Sequence, residues 1–421
     1  MAHSRGRATR ATVSFACGSL LMVQHGITER RPRGRRARRS LLFPWRGVPC
    51  DRMMGRQILT DYEIVRVLGQ GGMGTVYEAR STKTGRPVAI KWLHVRPFAS
   101  DDPDLLRFEQ EARIAGSLDS PHVAGAIAVD RDPETGVPFQ VMELLDGEDV
   151  RSLIARAGPL RPEIALRIVG QACEGLAAAH AVSVIHRDIK PENLFLARGG
   201  DGEVTVKLLD FGVAKIRRTP EAAGEGGALT APAVSMTQSG QVIGTPLYMA
   251  PEQIENAKQV DARCDVYSMG VTLYAMLAGA PPHAHVKSLV ELLYAITTQP
   301  PPPLAEVAPW VRAEVVRFVE RAMAQAREDR FPSVEAMREA LRPLLPEGVS
   351  LRQEALVGVT DEERKVVATH APEPGQAGAE RSAETVKTAR ARAAERARWM
   401  AAAAIVLVVL SIVAVIFLLN R

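Results

Sequence analysis

The chain has 421 residues, of which 46% are hydrophobic, so it is long enough for two or three domains and apolar enough to bury a large core. Its formal net charge of +5 comes from residues 1–56, which hold thirteen Arg, whereas the remainder carries 40 basic and 46 acidic residues. An acidic body argues against a nucleic-acid-binding protein, so no nucleic-acid partner is expected. The four Cys lack metal-ligand spacing, which excludes a cysteine-based zinc site and is typical of a reducing compartment.

The segment 1–56 has no sustained apolar periodicity and contains a basic run at 30–39. This run follows the modestly apolar stretch 12–23 instead of preceding it, which excludes a secretory signal peptide. Two interpretations stay open for the segment. It is either a disordered basic arm, or sequence upstream of the true start, because Met53 and Met54 lie just before the folded pattern.

A predicted hairpin follows, with strands over 62–68 and 75–79 joined by the glycine-rich turn 69–74. In a Rossmann unit the same GxGxxG pattern opens a helix, but here the β-branched pair Thr75 and Val76 continues as a strand. Glycines in such a turn let backbone amides approach phosphate oxygens closely. The pattern therefore predicts a hairpin that lies over the phosphates of a nucleotide.

The third predicted strand, 88–91, is apolar except for Lys91 at its end. Most lysines are solvated surface residues, so a lysine in a buried strand needs an acidic partner. The predicted helix 104–118 offers Glu109 and Glu111. We favour Glu111, because it lies next to the predicted buried side of that helix.

A further strand is predicted at 138–142, followed by a connector at 143–147 and a long helix at 161–182 with helical apolar spacing. A glycine-containing turn at 199–202 precedes the apolar strand 204–209. That strand would deliver the next residue, Asp210, to a site.

The rest of the chain is organised around the stretch 186–193, HRDIKPEN, and the later triplet Asp210-Phe211-Gly212. Together they supply two acids, a lysine and an amide. Phosphoryl transfer needs this set, because its transition state requires neutralised charge and aligned oxygens more than covalent help. Asp188 would accept or orient the proton of an attacking hydroxyl. Asn193 and Asp210 would hold Mg²⁺, which prefers oxygen ligands.

These motifs, in this order and spacing, resemble protein kinases, and Lys190-Pro191-Glu192-Asn193 resembles the serine/threonine branch. The glycine-rich turn and the MAPE sequence at 249–252 resemble bacterial serine/threonine kinases with a membrane anchor. The resemblance implies an α+β, two-lobed fold over 60–345, with a five-stranded antiparallel N-lobe carrying one helix and a mainly helical C-lobe. It also implies ATP and Mg²⁺ as cofactors, with Mn²⁺ as an alternative metal, and protein Ser/Thr hydroxyls as substrates.

The resemblance also assigns roles by position, with Lys91 gripping phosphates, Asp265 bracing the catalytic loop and Arg330 pairing with Glu252. Catalytic roles fall on Asp188, Lys190, Asn193, Lys91 and Glu111, metal ligation on Asn193 and Asp210, and structural roles on Arg187, Glu252, Asp265 and Arg330. Nucleotide contacts fall on Leu68, Gly69, Gln70, Gly71, Gly72, Met73, Gly74, Thr75, Val76, Ala89, Lys91, Met142, Glu143, Leu145 and Phe195.

The stretch 219–240 is rich in Ala, Gly, Ser and Thr without apolar periodicity, as expected of a functional or disordered loop. We predict phosphorylation there by a second copy of the chain in a transient dimer, with Thr237 the best single candidate and Ser239 another. Arg187 would engage the added phosphate. In the family that it resembles, Thr245 bonds the catalytic Asp and Lys, so its expected role is site architecture.

A central helix is predicted at 261–279, because its apolar residues cover every face. Helical patterns end near 345. The composition of 346–399 predicts a Pro/Ala-rich linker that ends in a basic segment.

Residues 400–419 contain no charge, and a twenty-residue apolar helix is long enough to span a bilayer. Five basic residues precede this segment and a single arginine follows it, which predicts a single-pass tail anchor in the inner membrane with the kinase domain in the cytoplasm. The lipid bilayer is then a partner. The alternative is a helix buried against the C-lobe or one that mediates oligomer contacts.

Two other classes of protein share the fold. A pseudokinase that only binds or scaffolds would lack a key Lys, Asp or Asn, and none is missing. A small-molecule kinase would lack the segment 244–252, which resembles the part of protein kinases that seats a peptide, and that segment is present.

Overall fold

The computed structural model describes residues 57–58, 61–71, 74–93, 116, 118–132, 136–210, 245–255 and 260–364. The compact unit that contains the fold ends at Thr360. Within the described ranges, no helix has both the length and the apolar character that a membrane crossing requires. The predicted membrane segment, 400–419, lies outside those ranges, as does nearly all of the predicted helix that carries Glu111.

Within the described residues, the N-lobe is built on an antiparallel sheet of six strands in the order β1-β2-β3-β4-β6-β5. The strands are β1 (Gln57–Ile58), β2 (Tyr62–Gln70), β3 (Gly74–Ser81), β4 (Pro87–Leu93), β5 (Ala126–Arg131) and β6 (Pro138–Glu143). The predicted count of five was wrong by one, because β1 pairs with the start of β2. A two-residue strand is too short to show the alternation by which strands are recognised.

The two faces of this sheet have different roles. Side chains that are paired across neighbouring antiparallel strands lie on the same face. One face carries the buried core of the lobe, including Ile90 and Val141, with the rings of Trp92 and Phe139 stacked at 5.7 Å. The opposite face carries Lys91. That face is therefore the one available to a nucleotide.

The C-lobe is mainly helical and holds the larger core. Its helices are α1 (Val150–Ala157), α2 (Pro162–Ala181), α3 (Pro251–Glu255), α4 (Arg263–Ala278), α5 (Leu289–Thr298), α6 (Leu304–Val307), α7 (Ala313–Ala322) and α8 (Val334–Leu341). Asp149 begins α1 by accepting a hydrogen bond from the backbone N of Ser152, and Gly279 ends α4 with a φ of 83°. Helix α4 is buried almost all round, which confirms the predicted central helix.

A small antiparallel sheet in the C-lobe delivers Asp210. Its strands are β7 (Gly147–Asp149), β8 (Leu194–Arg198), β9 (Glu203–Leu208) and β10 (Leu351–Arg352), in the order β10-β9-β8-β7. The glycine-containing turn between β8 and β9 closes with Gly202 at a φ of 82°, a conformation that glycine adopts readily. Asp210 follows two residues after the end of β9.

The fold continues past residue 345, where the sequence analysis placed the start of a linker. Leu351 pairs with Val204 of β9 and is buried, and so are Leu356 and Val359. The predicted boundary was therefore too early. These apolar residues are spaced irregularly, so they give no periodic signal, and the Pro, Gly and Glu before and between them resemble linker sequence.

Candidate active site

The Asp188 side chain is held by two residues of its own loop. Lys190 Nζ lies 2.7 Å from Asp188 Oδ2. Asn193 Nδ2 donates to the backbone oxygen of Asp188 at 2.8 Å and to Oδ2 at 3.2 Å. A short 3₁₀ turn, Pro191–Asn193, brings the amide back towards the acid. The structure thus places three of the predicted catalytic residues together.

Asp265 braces the backbone of the same loop. Its carboxylate is fully buried and accepts from the backbone N of His186 and of Arg187, each at 2.8 Å. His180 Nε2 donates to it at 2.8 Å. Burial alone would raise the pKa of Asp265, but the hydrogen bond from His180 holds it below its ordinary value. Arg187 has a φ of 61°, so these bonds stabilise a strained turn.

His186 connects the catalytic loop to the residue before Asp210, a role that sequence reasoning missed. The backbone N of Asp188 donates to its Nδ1 at 3.3 Å, so Nε2 carries the hydrogen and donates to the oxygen of Leu209 at 2.9 Å. Burial lowers the pKa of His186, which favours this neutral ring. Its place in the HRD motif was visible, but its contact with Leu209, 23 residues later, was not.

Lys91 is paired with Asp210. The Lys91 Nζ lies 2.6 Å from Asp210 Oδ2, and the lysine side chain is 10% exposed. Desolvation would raise the pKa of Asp210, but Lys91 first, and then Lys190, hold it below its ordinary value. Asp210 therefore stays a carboxylate at neutral pH. The predicted partner Glu111 lies outside the described residues.

The face of the N-lobe sheet that carries Lys91 also carries the predicted base contacts. Val76 pairs with Lys91, and Ala89 pairs with Met142, so the four side chains share one face. Leu68 lies at an irregularity between β2 and β3. The other predicted positions are distributed as follows: Gly69 and Gln70 end β2, Thr75 is buried in β3, Glu143 ends β6, Leu145 is half-buried in the connector, and Phe195 is buried in β8.

The glycine-rich turn closes on itself, and β2 and β3 form the predicted hairpin. The backbone N of Gly71 donates to the oxygen of Gly74 at 2.9 Å. A Cβ on Gly74 would lie 2.2 Å from the oxygen of Trp92, whereas a Cβ on Gly71 would meet nothing within 4 Å. Gly74 is therefore required for close strand pairing. Gly72 and Met73 lie outside the described residues.

The connector between the lobes is tied to β9 by a pair that the sequence analysis did not anticipate. Glu143 Oε1 accepts from Lys207 Nζ and from the backbone N of Gly125, both at 2.8 Å. Lys207 lies three residues before Asp210. The end of β6, where the base would lie, is thus linked to the strand that leads to the predicted metal ligand.

The residues present fit a divalent metal. Asn193 donates hydrogen bonds to Asp188 through its Nδ2, which leaves its amide oxygen as a possible metal ligand. Asp210 supplies a carboxylate. The backbone N of Leu209 donates to the backbone oxygen of Asn193 at 2.9 Å, which keeps the two candidate ligands on adjacent segments. Hard oxygen donors of this kind suit Mg²⁺.

Glu252 and Arg330 form a two-point ion pair, with Nη1 to Oε1 at 2.7 Å and Nη2 to Oε2 at 2.8 Å. Arg330 is 2% exposed and also donates to three backbone oxygens, those of Arg263, Ala324 and Gln325. Its guanidinium lies 4.8 Å from the centre of the Tyr267 ring. This pair joins two distant parts of the C-lobe.

Gln253, beside Glu252, links the predicted substrate segment to the catalytic loop. Its Oε1 accepts from Ala250 N at 2.9 Å, and its Nε2 donates to Arg187 O at 3.1 Å. Thr245 begins the 3₁₀ turn Thr245–Tyr248. For Thr245 itself, the structure describes the backbone and not the side chain. Thr237 and Ser239 lie outside the described residues.

Comparison with known proteins shows what the chain resembles as a whole. The family model described as "Protein kinase domain" matches residues 62–341. Serine/threonine-protein kinase Pkn1 of Myxococcus xanthus is 36% identical over 318 residues, covering 75% of this chain and 43% of Pkn1. PknB of Mycolicibacterium smegmatis is 33% identical over 369 residues, covering 85% of this chain and 55% of PknB. The chain thus spans about half the length of the curated relatives that it matches.

Solved structures agree with this similarity. The crystal structure of the Mycobacterium tuberculosis PknI kinase domain superimposes with a TM-score of 0.51 at 26% identity. The match covers 69% of this chain and 97% of that one. The two-lobed arrangement with an antiparallel N-lobe and a helical C-lobe is therefore common to both.

Proposed function

The chain belongs to the protein kinase family, and we propose that it transfers the γ-phosphate of ATP to Ser and Thr hydroxyls of proteins, as a serine/threonine protein kinase. The observation that carries the proposal is the convergence of Lys91, Asp188, Asn193 and Asp210 in one site. The Lys91–Asp210 pair joins the nucleotide face of the N-lobe sheet to the catalytic loop side of the C-lobe. A binding module without activity has no need of this complete set.

Each side chain has a task that its surroundings support. Asp188, oriented by Lys190 and Asn193, receives the proton of the substrate hydroxyl and points that oxygen at the phosphorus. Lys91 would bind the oxygens of the α- and β-phosphates, and Asn193 and Asp210 would hold the metal. When bound, Mg²⁺, or Mn²⁺ in its place, supplies positive charge that stabilises the phosphate oxygens. Lys190, beside Asp188, stabilises the negative charge of the transition state.

The proposal is tested by incubating the purified full-length chain with radiolabelled ATP, Mg²⁺ and a general protein substrate such as casein. We expect label on phosphoserine and phosphothreonine of the substrate, and none when Asp188→Ala replaces the parent. Transfer to a sugar or other small hydroxyl compound instead of protein would contradict the proposal. Replacing Mg²⁺ by Mn²⁺ shows whether the second metal is accepted.

We also propose that one copy phosphorylates another within 230–239, with Thr237 the preferred residue and Ser239 the next. The support is the exposed Arg187, which adjoins Asp188 and offers a guanidinium to a phosphate. The parent is mixed with a tagged Asp188→Ala chain, which cannot label itself. Mass spectrometry should find phosphate on the tagged chain within this segment. Phosphate that appears only on the untagged parent would show that the reaction occurs within one molecule and needs no dimer.

The anchor is proposed on sequence alone: residues 400–419 span the inner membrane as a tail anchor with the kinase domain in the cytoplasm. At about 1.5 Å per residue, twenty residues reach about 30 Å, the thickness of the hydrocarbon layer. Full-length protein should stay in the membrane pellet after alkaline carbonate extraction, and a chain ending at Thr360 should not. Recovery of the full-length chain in the carbonate supernatant would exclude the anchor.

A further inference from the structure

The strand that leads to Asp210 is held along both of its edges. Strand β8 covers one edge of β9. On the other edge, β10 pairs with the first two residues, and the segment around His122 covers the last ones: His122 O accepts from Leu208 N, and Ala124 N donates to Leu208 O, both at 2.9 Å. Between them, His122 Nδ1 donates to Val206 O at 2.9 Å. On this edge of β9, between β10 and the His122 segment, Val206 N is the backbone group that these elements leave without a hydrogen-bond partner.

Gln171 of α2 fills that position with its side chain. Its Oε1 accepts from Val206 N at 2.8 Å, and its Nε2 donates to Val349 O at 2.8 Å. The side chain is 6% exposed, so neither bond competes much with water. A buried amide whose oxygen and nitrogen each have one partner has a fixed orientation, because a flip would place like groups against each other. Val206 N and Val349 O together hold the amide with Oε1 towards β9 and Nε2 towards residue 349.

Val349 belongs to the C-terminal strap, which we define as residues 346–360. Arg167, one turn before Gln171, donates to Ser350 O at 2.7 Å. A Cβ on Gly170 would lie 2.5 Å from a methyl group of Val349. At the other end of the strap, Val359 N donates to Pro159 O at 2.8 Å. One face of α2 is thus shaped to receive the strap.

We propose that Gln171 is a positioning residue for Asp210 and that the C-terminal strap acts on the metal site through it. This inference rests on the proposed kinase function. An extended strand rises about 3.3 Å per residue, so Val206 lies within about 13 Å of Asp210 along a segment braced on both edges. Displacement of the strap frees the amide of Gln171 and so loosens β9 at Val206. Asp210 then occupies a wider range of positions. Groups that hold metal ligands in place typically change metal affinity when they are lost.

The test uses full-length chains and a readout that does not depend on turnover. Thermal unfolding is followed with a non-hydrolysable ATP analogue while Mg²⁺ is titrated, and the Mg²⁺ concentration that gives half of the added stabilisation is recorded. For Gln171→Met we expect this concentration to rise about tenfold, the lower end of the range for groups that orient metal ligands. The Mg²⁺ concentration that gives half-maximal phosphorylation of a peptide is then measured as well, and it should rise likewise. The KM for the peptide should not change.

Two further variants separate positioning from general stability. Gly358→Ala places a Cβ 1.9 Å from Ala157 O and so displaces the end of the strap without touching Gln171. It should raise the Mg²⁺ concentration in the same direction. Arg338→Met removes the ion pair with Glu174 on α2, and neither of these residues has a hydrogen bond to β9 or to the strap among the described residues. It should lower the melting temperature and leave the Mg²⁺ concentration at the parental value.

Each outcome has one meaning. A parental Mg²⁺ concentration in Gln171→Met overturns the inference, and a parental concentration in Gly358→Ala overturns the action of the strap, whatever the melting temperatures. If one of the two does not fold, the other decides alone. An equal rise in Arg338→Met also overturns it, because any loss of stability would then have the same effect. A parent that binds Mg²⁺ and nucleotide but transfers no phosphate contradicts the proposed function instead.

Discussion

Lys91 Nζ and Asp210 Oδ2 lie 2.6 Å apart, so a lysine on the N-lobe sheet is bonded directly to an acid two residues beyond the C-lobe strand β9. The two residues are far apart in sequence and come from different lobes. Their contact depends on the strand pairing that turns Lys91 to the open face of the sheet and on the support that holds β9 in place. The position of a single ammonium group thus depends on the packing of both lobes.

The first prediction concerns chemistry. Lys91→Met and Asp188→Ala should each reduce phosphorylation by about 10² or more, because removing a group that binds phosphate or orients the hydroxyl removes transition-state stabilisation. Radiolabel transfer measures the loss, and circular dichroism should show an unchanged fold. Lys83→Met is the matched control, since Lys83 pairs with Asp61 on the exposed surface. Near-parental activity in either active-site variant would refute the role assigned to that residue.

The second prediction concerns the buried pair of the C-lobe. Arg330→Met should destabilise the chain by about 3–5 kcal/mol, because Glu252 would remain without its partner in a poorly solvated place. Chemical denaturation measures the change. In the control, Arg317→Met removes an exposed arginine 3.7 Å from Glu314, and surface pairs of this kind contribute little. Equal losses in the two variants would show that the Arg330 pair is no more important than a surface pair.

The third prediction uses two glycines of one turn. Gly74→Ala should lower stability by about 1–3 kcal/mol, because its Cβ would overlap the Trp92 oxygen and push β3 from β4. Gly71→Ala should have almost no effect on stability, since its Cβ has open space. Thermal unfolding of the two variants gives the comparison. A greater loss for Gly71→Ala would mean that the turn is required for its flexibility and not for strand pairing.

Much of this site was predictable because its residues lie in short, fixed motifs. HRDIKPEN places Asp188, Lys190 and Asn193 within six positions, and local geometry brings them together. The missed contributions come from residues that act over long separations. Gln171 and Lys207 each look like an ordinary polar residue in a helix or strand, and only the folded arrangement shows that they bond to β9 and to Glu143.

The fold shows the same contrast between local sequence patterns and contacts over long separations. The helices α2 and α4 were predicted within two residues of their observed ends, because a long helix repeats its apolar spacing many times. The C-terminal strap was assigned to a linker, because two strand residues and scattered apolar contacts give no repeat. Its place in the fold is determined by the groove on α2 that receives it, and a single sequence does not show which groove a segment will fill.

The last prediction concerns the pH dependence of stability. His186 is buried, and burial lowers its pKa below the ordinary value of 6.5, even though Asp265, Asp188 and Asp210 act in the other direction. Below about pH 6.5 the unfolded chain therefore takes up a proton on this residue that the folded chain does not. The free energy of unfolding should fall as the pH drops from 7.5 towards 5.5, by at most about 1.4 kcal/mol per pH unit for one such group.

A substitution isolates this effect from those of other groups. Asp210 and Asp265, whose pKa values lie below the ordinary 3.8, lose their contribution only at lower pH, outside this window. In His186→Gln, urea unfolding should give a smaller slope of stability against pH between 7.5 and 5.5, with a lower stability at pH 7.5 because Asp188 N loses its acceptor. His283, whose pKa is also lowered by burial, provides a second case, and His283→Gln should flatten the slope without affecting the catalytic loop. A parental slope in His186→Gln would show that His186 is already protonated in the folded chain at pH 5.5, contrary to the neutral ring that its two hydrogen bonds require.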